Sequence, residues 1–133
     1  MKEFKFNVRV YFSDTDAGGI VYHASYLNFA EHARTEALRE ISLISQSELL
    51  KTQHLGFVVK SIYIDYLNPA FVDDELTVCT TVKEMKRFSA IFSQEIKRGD
   101  DVLTTVETKV GCIDLDKKRP YPIPEEIEKG FLD

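Results

Sequence analysis

The spacing of apolar and polar positions changes along the chain and divides it into strands and one long helix. Residues 4–12 alternate between apolar and polar side chains, a period of two that is typical of a half-buried β-strand. Over residues 24–41 the apolar positions recur at helical spacing, and several of them are alanines (Ala30, Ala33 and Ala37). The pattern therefore predicts a first strand and then a helix whose small side chains allow close packing against a sheet.

The second half of the chain is predicted to form strands. The segment SQSELLKTQ suits a short second helix, and Gly56 is expected to break the chain before the next strand. β-Branched and aromatic residues then predict four strands, at residues 57–67, 76–82, 88–97 and 102–112. Short turns between them predict a meander. The expected fold is α+β, one long helix against a curved antiparallel sheet of about five strands, whose open edges favour pairing into a dimer or a tetramer.

Composition narrows the class of protein. With 133 residues, the chain has the length of a single domain, 1–133. Its 17 Lys+Arg against 22 Asp+Glu give a net charge of −5, which argues against general nucleic-acid binding. No apolar run reaches the roughly 20 residues of a membrane span, and the alternating N-terminus is unlike a signal peptide. Two isolated cysteines, Cys79 and Cys112, indicate reduced core thiols and a cytoplasmic location.

The loop between the first strand and the helix holds the densest cluster of candidate chemistry. It contains Asp14, Asp16 and a glycine pair, and it leads to His23 at the start of the helix. Free N–H groups at a helix start stabilise negative charge, such as the oxyanion formed from a carbonyl, and a neighbouring carboxylate can activate water or attack directly. An aspartate in a turn before a helix is also a common turn-stabilising acceptor. The residues alone leave both interpretations open for either aspartate.

Several other chemistries lack their motifs. The three histidines, His23, His32 and His54, do not have metal-ligand spacing, so no metal is expected. There is no GxSxG segment, which disfavours a serine hydrolase. GxGxxG and GxxxxGK[ST] are also absent, so neither a dinucleotide nor a P-loop nucleotide is expected.

The stretch VRVYFSDTDAGGIVYHASYLNFAEHARTEALR, residues 8–39, resembles the signature of hotdog-fold acyl-CoA thioesterases. More narrowly, it is similar to the 4-hydroxybenzoyl-CoA thioesterase family and its YbgC-type, Tol–Pal-associated branch. The likeness continues through FVV…YLNPAFVDDEL, FSQEIKR and CIDLDKKRPYPIP, and so covers nearly the whole chain. It implies a hotdog fold, assembly of identical subunits, and hydrolysis of an acyl-CoA to free acid and CoA without a cofactor.

The resemblance also implies roles for individual residues. Asp16 matches the catalytic carboxylate, and His23 matches the residue whose backbone N–H polarises the thioester carbonyl. The side chain of His23 is implicated as well in the YbgC-type branch. Tyr22, Asp14 and Tyr26 match residues that line the pocket or brace the loop.

Basic residues are expected to hold the phosphates of CoA. Residues 83–98 carry five Lys or Arg against two Glu, a local charge of +3. Within them, Lys86, Arg87 and Ser89 lie where the resemblance implies contacts with the CoA phosphates. Residues 117–119 form a second basic run. A solvated hairpin end is the alternative interpretation for each of these side chains.

Other functions remain open on the sequence. Glu31 is the candidate carboxylate if the chain follows the thioesterases that place it on the long helix. A hotdog dehydratase acting on hydroxyacyl thioesters, and a non-catalytic acyl-thioester binder or scaffold, are the alternative functions. The resemblance also raises contact with acyl carrier protein or phospholipid-synthesis enzymes. The sequence does not define the acyl group or decide between dimer and tetramer.

Overall fold

One long helix and five long strands make up most of the protein. The computed structural model describes residues 2–42 and 44–133. In chain order the elements of the described residues are β1 (Phe4–Arg9), α1 (Ser25–Ile41), α2 (Gln46–Glu48), β2 (Leu55–Tyr66), β3 (Glu75–Met85), β4 (Ser89–Arg98), β5 (Asp101–Asp114), β6 (Arg119–Pro120) and α3 (Glu125–Leu132). A 3-10 turn, Phe12–Asp14, follows β1, and a π turn, Leu49–Gln53, follows α2. The short second helix expected in SQSELLKTQ is therefore present, but most of that segment forms the π turn.

The strands form one antiparallel sheet in the order β1-β3-β4-β5-β2, with the short β6 paired to β5. The predicted α+β class, with one long helix on an antiparallel sheet, is confirmed. The predicted four-strand meander is wrong, because β2 does not pair with β3. It lies beside β5 and forms one edge of the sheet, while β1 forms the other.

The connection after β2 explains this topology. The N–H groups of Leu67 and Asn68 both donate to the carbonyl of Leu103, at 2.9 and 3.1 Å, so the chain leaves β2 beside the start of β5. It then crosses the end of the sheet, where the buried Ala70 accepts a hydrogen bond from the N–H of Val21 at 2.9 Å. This segment is too long for a tight hairpin, and its ordered crossing carries the chain to the other side of the sheet.

Two element boundaries differ from the sequence prediction. β1 ends at Arg9 rather than at residue 12, because the chain turns into the 3-10 turn. Gly56 does not break the chain; it lies inside β2, opposite Ile113. The turn before β2 is made instead by His54, whose φ of 54° is in the left-handed region.

The helix α1 is held to the sheet by small side chains and by a polar cluster. Ala30, Ala33 and Ala37 are buried, as the helical spacing predicted. The amide of Gln94 donates to the carbonyl of Ala30 at 2.9 Å and to Oγ1 of Thr80 at 3.0 Å. Arg34 in turn donates to Oε1 of Gln94 at 3.1 Å and to Oγ1 of Thr108 at 3.3 Å. We call these four side chains (Arg34, Thr80, Gln94 and Thr108) the polar clasp.

The far end of the domain is closed by α3. Phe131 packs edge-to-face against Phe4 and Phe92, with ring centroids 5.6 and 5.3 Å apart.

None of the helices in residues 2–42 and 44–133 combines the length and the apolar character needed to cross a membrane.

Candidate active site

The loop between β1 and α1 is folded back on itself by backbone hydrogen bonds. Thr15 and Val21 form an antiparallel bridge, and the N–H of Tyr22 donates to the carbonyl of Asp14 at 2.9 Å. The loop is also fixed to the crossing connection, where Ile20 bridges to Phe71. We call residues 13–24, which hold the candidate catalytic residues Asp16 and His23, the catalytic loop. Its two limbs run side by side, so the structure brings the aspartates and the start of α1 into one place.

Asp16 lies at the turn of the catalytic loop and is exposed. Its N–H donates to the carbonyl of Ile20 at 2.9 Å, and its carbonyl accepts from the N–H of Gly19 at 3.1 Å. One carboxylate oxygen, Oδ1, accepts a hydrogen bond from the N–H of Gly18 at 3.0 Å. Within residues 2–42 and 44–133 the other oxygen, Oδ2, has no protein partner. The side chain is therefore held in place by one oxygen and presents the other to the surroundings.

Gly19 is the residue that makes this turn possible. Its φ of 76° is in the region that residues with a Cβ rarely adopt. The glycine pair seen in the sequence thus allows the tight return of the chain after Asp16.

Asp14 has a different role in the geometry. Its Oδ2 accepts a hydrogen bond from the N–H of Tyr11 at 2.9 Å, which closes the 3-10 turn. Its carbonyl accepts from the hydroxyl of Ser25 at 3.0 Å, in addition to the N–H of Tyr22. Asp14 therefore braces the loop against the first turn of α1, one of the two roles expected for it.

His23 lies immediately before α1 and is exposed. A turn precedes the helix, in which the N–H of Ser25 donates to the carbonyl of Tyr22 at 2.9 Å. In the part of the chain that the structure describes, the N–H groups of His23 and of the next residue, Ala24, donate to no protein acceptor. Unpaired N–H groups at the start of a 17-residue helix are suited to stabilise negative charge on a ligand.

The two tyrosines proposed for the pocket lie in different surroundings. Tyr22 is half exposed, and its ring lies 4.4 Å from that of His23, centroid to centroid. Tyr26 is only 3% exposed, and its hydroxyl accepts a hydrogen bond from the N–H of Ala70 at 3.1 Å. Tyr26 therefore anchors the crossing connection beneath the catalytic loop, while Tyr22 remains open to a ligand.

The proposed phosphate contacts lie at the opposite end of the sheet. Lys86 and Arg87 are in the turn between β3 and β4, and Ser89 begins β4. The catalytic loop adjoins the start of β3, where the N–H of Val10 donates to the carbonyl of Asp74 at 2.9 Å. Ten residue steps of an extended strand span about 33 Å. Within one chain, the structure therefore does not bring these residues to the catalytic loop.

Ser89 lines a groove of about 280 Å³ that is rich in cations. Four charged side chains line it: Lys60 from β2, Lys109 from β5, Lys118 from the turn between β5 and β6, and Arg119 from β6. Within the described residues none of these four forms an ion pair, although most of the cations elsewhere do. We call this feature the cationic groove.

Asp114, a carboxylate beside the groove, is held mainly by backbone N–H groups. Asp114 is paired with Arg119 across β5 and β6, and its Oδ1 accepts the N–H groups of Asp116 and Lys117 at 2.9 and 3.1 Å. These bonds, more than the nearby cations, lower the pKa of Asp114 below its usual value. Lys86 by contrast forms an ion pair with Glu84 at 3.2 Å, and Arg87 lies over the ring of Phe88.

Sequence reasoning missed Lys60 and Lys109 because each is a single polar position within a strand. The basic run at residues 117–119 was the signal that could have located the groove. Lys60 also depends on a glycine: a Cβ on Gly111 would lie 2.6 Å from Cε of Lys60, so the lysine side chain lies across β5 only because that position has no side chain.

Glu31, the alternative carboxylate, lies well along α1. It is eight residues beyond His23, which corresponds to about 12 Å of helix. Glu31 and Arg34 line a mostly apolar cavity of about 130 Å³ between α1 and the sheet. Glu31 accepts a hydrogen bond from the hydroxyl of Thr35. Across residues 2–42 and 44–133, no group of three or more His, Cys, Asp or Glu side chains is placed to hold a metal ion.

One long helix against a curved antiparallel sheet is the arrangement of the hotdog fold, and here a loop that holds a carboxylate is folded against the helix start. Known proteins agree with this. Residues 10–131 match the family model described as the thioesterase-like superfamily. Because the match spans most of the chain, the protein belongs to the thioesterase-like superfamily, and it is an enzyme of the thioester hydrolase class.

Individual relatives support the narrower resemblance. The chain is 48% identical to acyl-CoA thioesterase YbgC of Haemophilus influenzae over 96% of this chain and 93% of that one. It is 40% identical to acyl-CoA thioester hydrolase YbgC of Escherichia coli O6:H1, covering 96% and 95% of the two chains. The crystal structure of a probable thioesterase from Bartonella henselae superposes with a TM-score of 0.86 at 32% identity, covering 92% of this chain and all of that one. The resemblance to the YbgC-type branch is thus confirmed.

Proposed function

We propose that this protein hydrolyses an acyl-CoA thioester to a free acid and CoA, with Asp16 as the catalytic carboxylate and the N–H of His23 polarising the carbonyl. The observation that supports this most directly is the catalytic loop itself. It holds a carboxylate with one free oxygen and a helix start with free N–H groups on two adjacent limbs. The names of the relatives from Haemophilus influenzae and Escherichia coli point to the same substrate class.

The chemistry divides into two routes. In the first, Asp16 removes a proton from water as the water oxygen attacks the carbonyl carbon; the C–S bond then breaks and CoA leaves as a thiolate that takes up the proton. In the second, a carboxylate oxygen of Asp16 attacks the carbonyl carbon, the C–S bond breaks and CoA leaves as a thiolate. Water then hydrolyses the mixed anhydride, which releases the acid and restores the carboxylate, and a proton from that water passes to the thiolate. In both, negative charge grows on the thioester oxygen, and the N–H of His23 would stabilise it. We expect the His23 ring, which is tilted by 46° against that of Tyr22, to orient the thioester.

The active form is proposed to be a dimer of identical subunits paired along β2. This strand is an edge of the sheet, and its middle exposes Val58, Val59 and Ile62 to solvent. An edge with unpaired backbone groups and apolar side chains is suited to pair with another strand. Whether two such dimers form a tetramer is decided by other surfaces.

Antiparallel pairing of β2 with its copy would also unite the two halves of the site. Tyr66, at the end of β2, contacts the catalytic loop, whereas Val58 and Lys60, in the first half of the strand, line the cationic groove. Antiparallel pairing aligns the start of one strand with the end of the other. The groove of one subunit would then lie beside the catalytic loop of its partner. We propose that this groove, including Ser89, holds the CoA phosphates, with Lys86 and Arg87 at its margin.

We propose that the protein acts in the cytoplasm, where buried free thiols such as Cys79 and Cys112 stay reduced. Contact with acyl carrier protein or phospholipid-synthesis enzymes stays a prediction.

Thiol release from short, long and aromatic acyl-CoAs tests the proposal. Asp16→Asn should lower kcat by about 10³-fold, because the amide can neither accept a proton from water nor attack. Asp100→Asn, the same change at an exposed turn, is the matched control and should retain normal turnover. Full activity of the Asp16 variant would contradict the mechanism. Enoyl product from a hydroxyacyl-CoA would favour a dehydratase, and tight binding without thiol release would favour a binding protein.

Isotope labelling separates the two routes. In a single turnover in ¹⁸O-labelled water, only the anhydride route can place the label in the carboxylate of Asp16. Mass spectrometry of the peptide that contains Asp16 provides the measurement.

A further inference from the structure

One side chain from a distant strand holds the backbone of the catalytic loop. The hydroxyl of Tyr66, the last residue of β2, donates a hydrogen bond of 2.8 Å to the carbonyl of His23, 43 positions earlier in the chain. Within residues 2–42 and 44–133, that carbonyl has no other partner. The carbonyl would otherwise be an unpaired acceptor beside the start of α1.

The peptide that accepts this bond is the middle of a turn. Residues 22–25 form a β-turn closed by the bond from the N–H of Ser25 to the carbonyl of Tyr22. Ala24 has φ −77° and ψ −18°, values close to the third position of a type I turn. The type II alternative differs mainly in the direction of this middle peptide, and it requires a positive φ at Ala24.

The direction of this peptide decides where two N–H groups point. A peptide unit is planar and trans, so the carbonyl of His23 and the N–H of Ala24 point in opposite directions. Fixing the carbonyl towards Tyr66 therefore fixes the N–H of Ala24 away from it. In a type I turn both central residues are near the helical conformation, so the N–H of His23 points in a similar direction.

We propose that Tyr66 is a positioning residue: its hydroxyl locks the middle peptide of this turn and so aims the N–H groups of His23 and Ala24 together at the thioester oxygen. The inference rests on the proposed hydrolysis and adds a second donor and the group that orients it. Preorganised donors stabilise a developing charge without having to reorient during the reaction.

The surroundings of Tyr66 suit this role. Its ring packs edge-on against that of Tyr26, with centroids 5.5 Å apart, and Tyr26 is itself anchored to Ala70. Burial, together with the nearby Tyr26, raises the pKa of Tyr66 above its usual value. The hydroxyl thus keeps its proton, and remains a donor, through neutral and moderately alkaline pH.

Steady-state kinetics of Tyr66→Phe provides the test. The variant keeps the ring and its packing on Tyr26 but lacks the donor. We expect kcat to fall about ten-fold with KM within about two-fold, because removing one oxyanion donor directly costs roughly 10²–10³-fold and this change only loosens the donors. Tyr11→Phe, the same change at a 66% exposed side chain outside β2 and outside residues 13–24, is the matched control. Thermal unfolding of each variant shows whether the fold is kept.

A second variant acts on the same peptide from the other side. Ala24→Gly removes the steric penalty on a positive φ and leaves Tyr66 intact. It should lower kcat by about three-fold alone, and by more when combined with Tyr66→Phe, because each change then removes a different restraint on one peptide.

The outcomes are separable. A wild-type protein that releases no thiol from any acyl-CoA contradicts the proposed function. Normal wild-type turnover with unchanged kcat in folded Tyr66→Phe contradicts this inference alone. If Tyr66→Phe does not fold, Ala24→Gly decides, and an unchanged kcat there overturns the inference. A rise in KM with constant kcat would also overturn it, because it would indicate that Tyr66 acts on substrate binding.

Discussion

The catalytic loop and the cationic groove are built in opposite ways. The loop consists of consecutive residues, and backbone hydrogen bonds fold it, with one carboxylate and two free N–H groups as its chemistry. The groove draws its four cations from β2, β5, the following turn and β6, and its chemistry lies entirely in flexible side chains. The loop is thus suited to fix a reacting atom, whereas the groove is suited to attract a charged part of a ligand. In one chain they lie at opposite ends of the sheet.

The largest expected effect is the recovery of activity in a mixed dimer, in which the loop of one subunit and the groove of the other form one complete site. Asp16→Asn subunits and Lys60→Glu/Arg119→Glu subunits can be co-expressed with different tags and purified through both tags. Each mixed dimer should contain one complete site, formed by the loop of the second subunit and the groove of the first, and should show about half of wild-type activity. Both parent dimers should be nearly inactive at low substrate concentration. Mixed dimers without activity would show that loop and groove do not cooperate between subunits.

Cancelling the positive charge of the groove alone should sharpen the comparison. In Lys60→Glu/Arg119→Glu we expect KM for an acyl-CoA to rise roughly ten-fold with little change in kcat, because the phosphates lose attraction while the loop is untouched. The wild-type KM should rise with added salt, and that of the variant should change less. Lys2→Glu/Lys51→Glu, an equal change of charge elsewhere, is the control. A fall in kcat instead would mean that the groove takes part in the chemistry.

The polar clasp lies between the two regions. Changes in it should affect the stability of the fold more than they affect catalysis by the loop or binding by the groove. Arg34→Met removes the donor to Gln94 and Thr108 and leaves these buried acceptors unpaired. We expect the free energy of unfolding to fall by about 1–3 kcal/mol, as measured by urea denaturation. Arg39→Met, which removes an exposed arginine of the same helix, should change it by less than about 1 kcal/mol. Equal losses in the two variants would contradict a role for the clasp.

The smallest expected effect concerns the thiol that lines the groove. Burial raises the pKa of Cys112 to about 11, so the thiol stays protonated near neutral pH. Alkylation by iodoacetamide at pH 8 should be negligible in the native protein and complete after unfolding. Because the pKa is higher in the folded state, the stabilising contribution is present below about pH 9 and is lost as pH rises through about 11. Rapid labelling of the native protein at pH 8 would show that the groove opens.

The difference between the regions also explains what the sequence could predict. The catalytic loop, the helix over residues 25–41 and the α+β class were all within reach, because turn residues, helical spacing and alternation are local signals. The place of β2 in the sheet could not be predicted from the sequence, because its pairing with β5 depends on how residues 67–74 cross the sheet. Lys60 and Tyr66 were missed for the same reason: their partners are distant in sequence and become neighbours only when β2 takes its place at the edge.

The polar clasp has a further consequence for α1. The alanine face lets the helix approach the sheet closely, but a smooth face of methyl groups would fit almost equally well if the helix slid along its axis. The bonds from Gln94 to the carbonyl of Ala30 and from Arg34 to Gln94 and Thr108 favour one axial position, because sliding the helix would separate Arg34 from its partners. These hydrogen bonds, and not the packing of side chains, thereby fix where the start of α1 lies along the sheet. They also fix the place at which the helix start would meet a substrate oxygen.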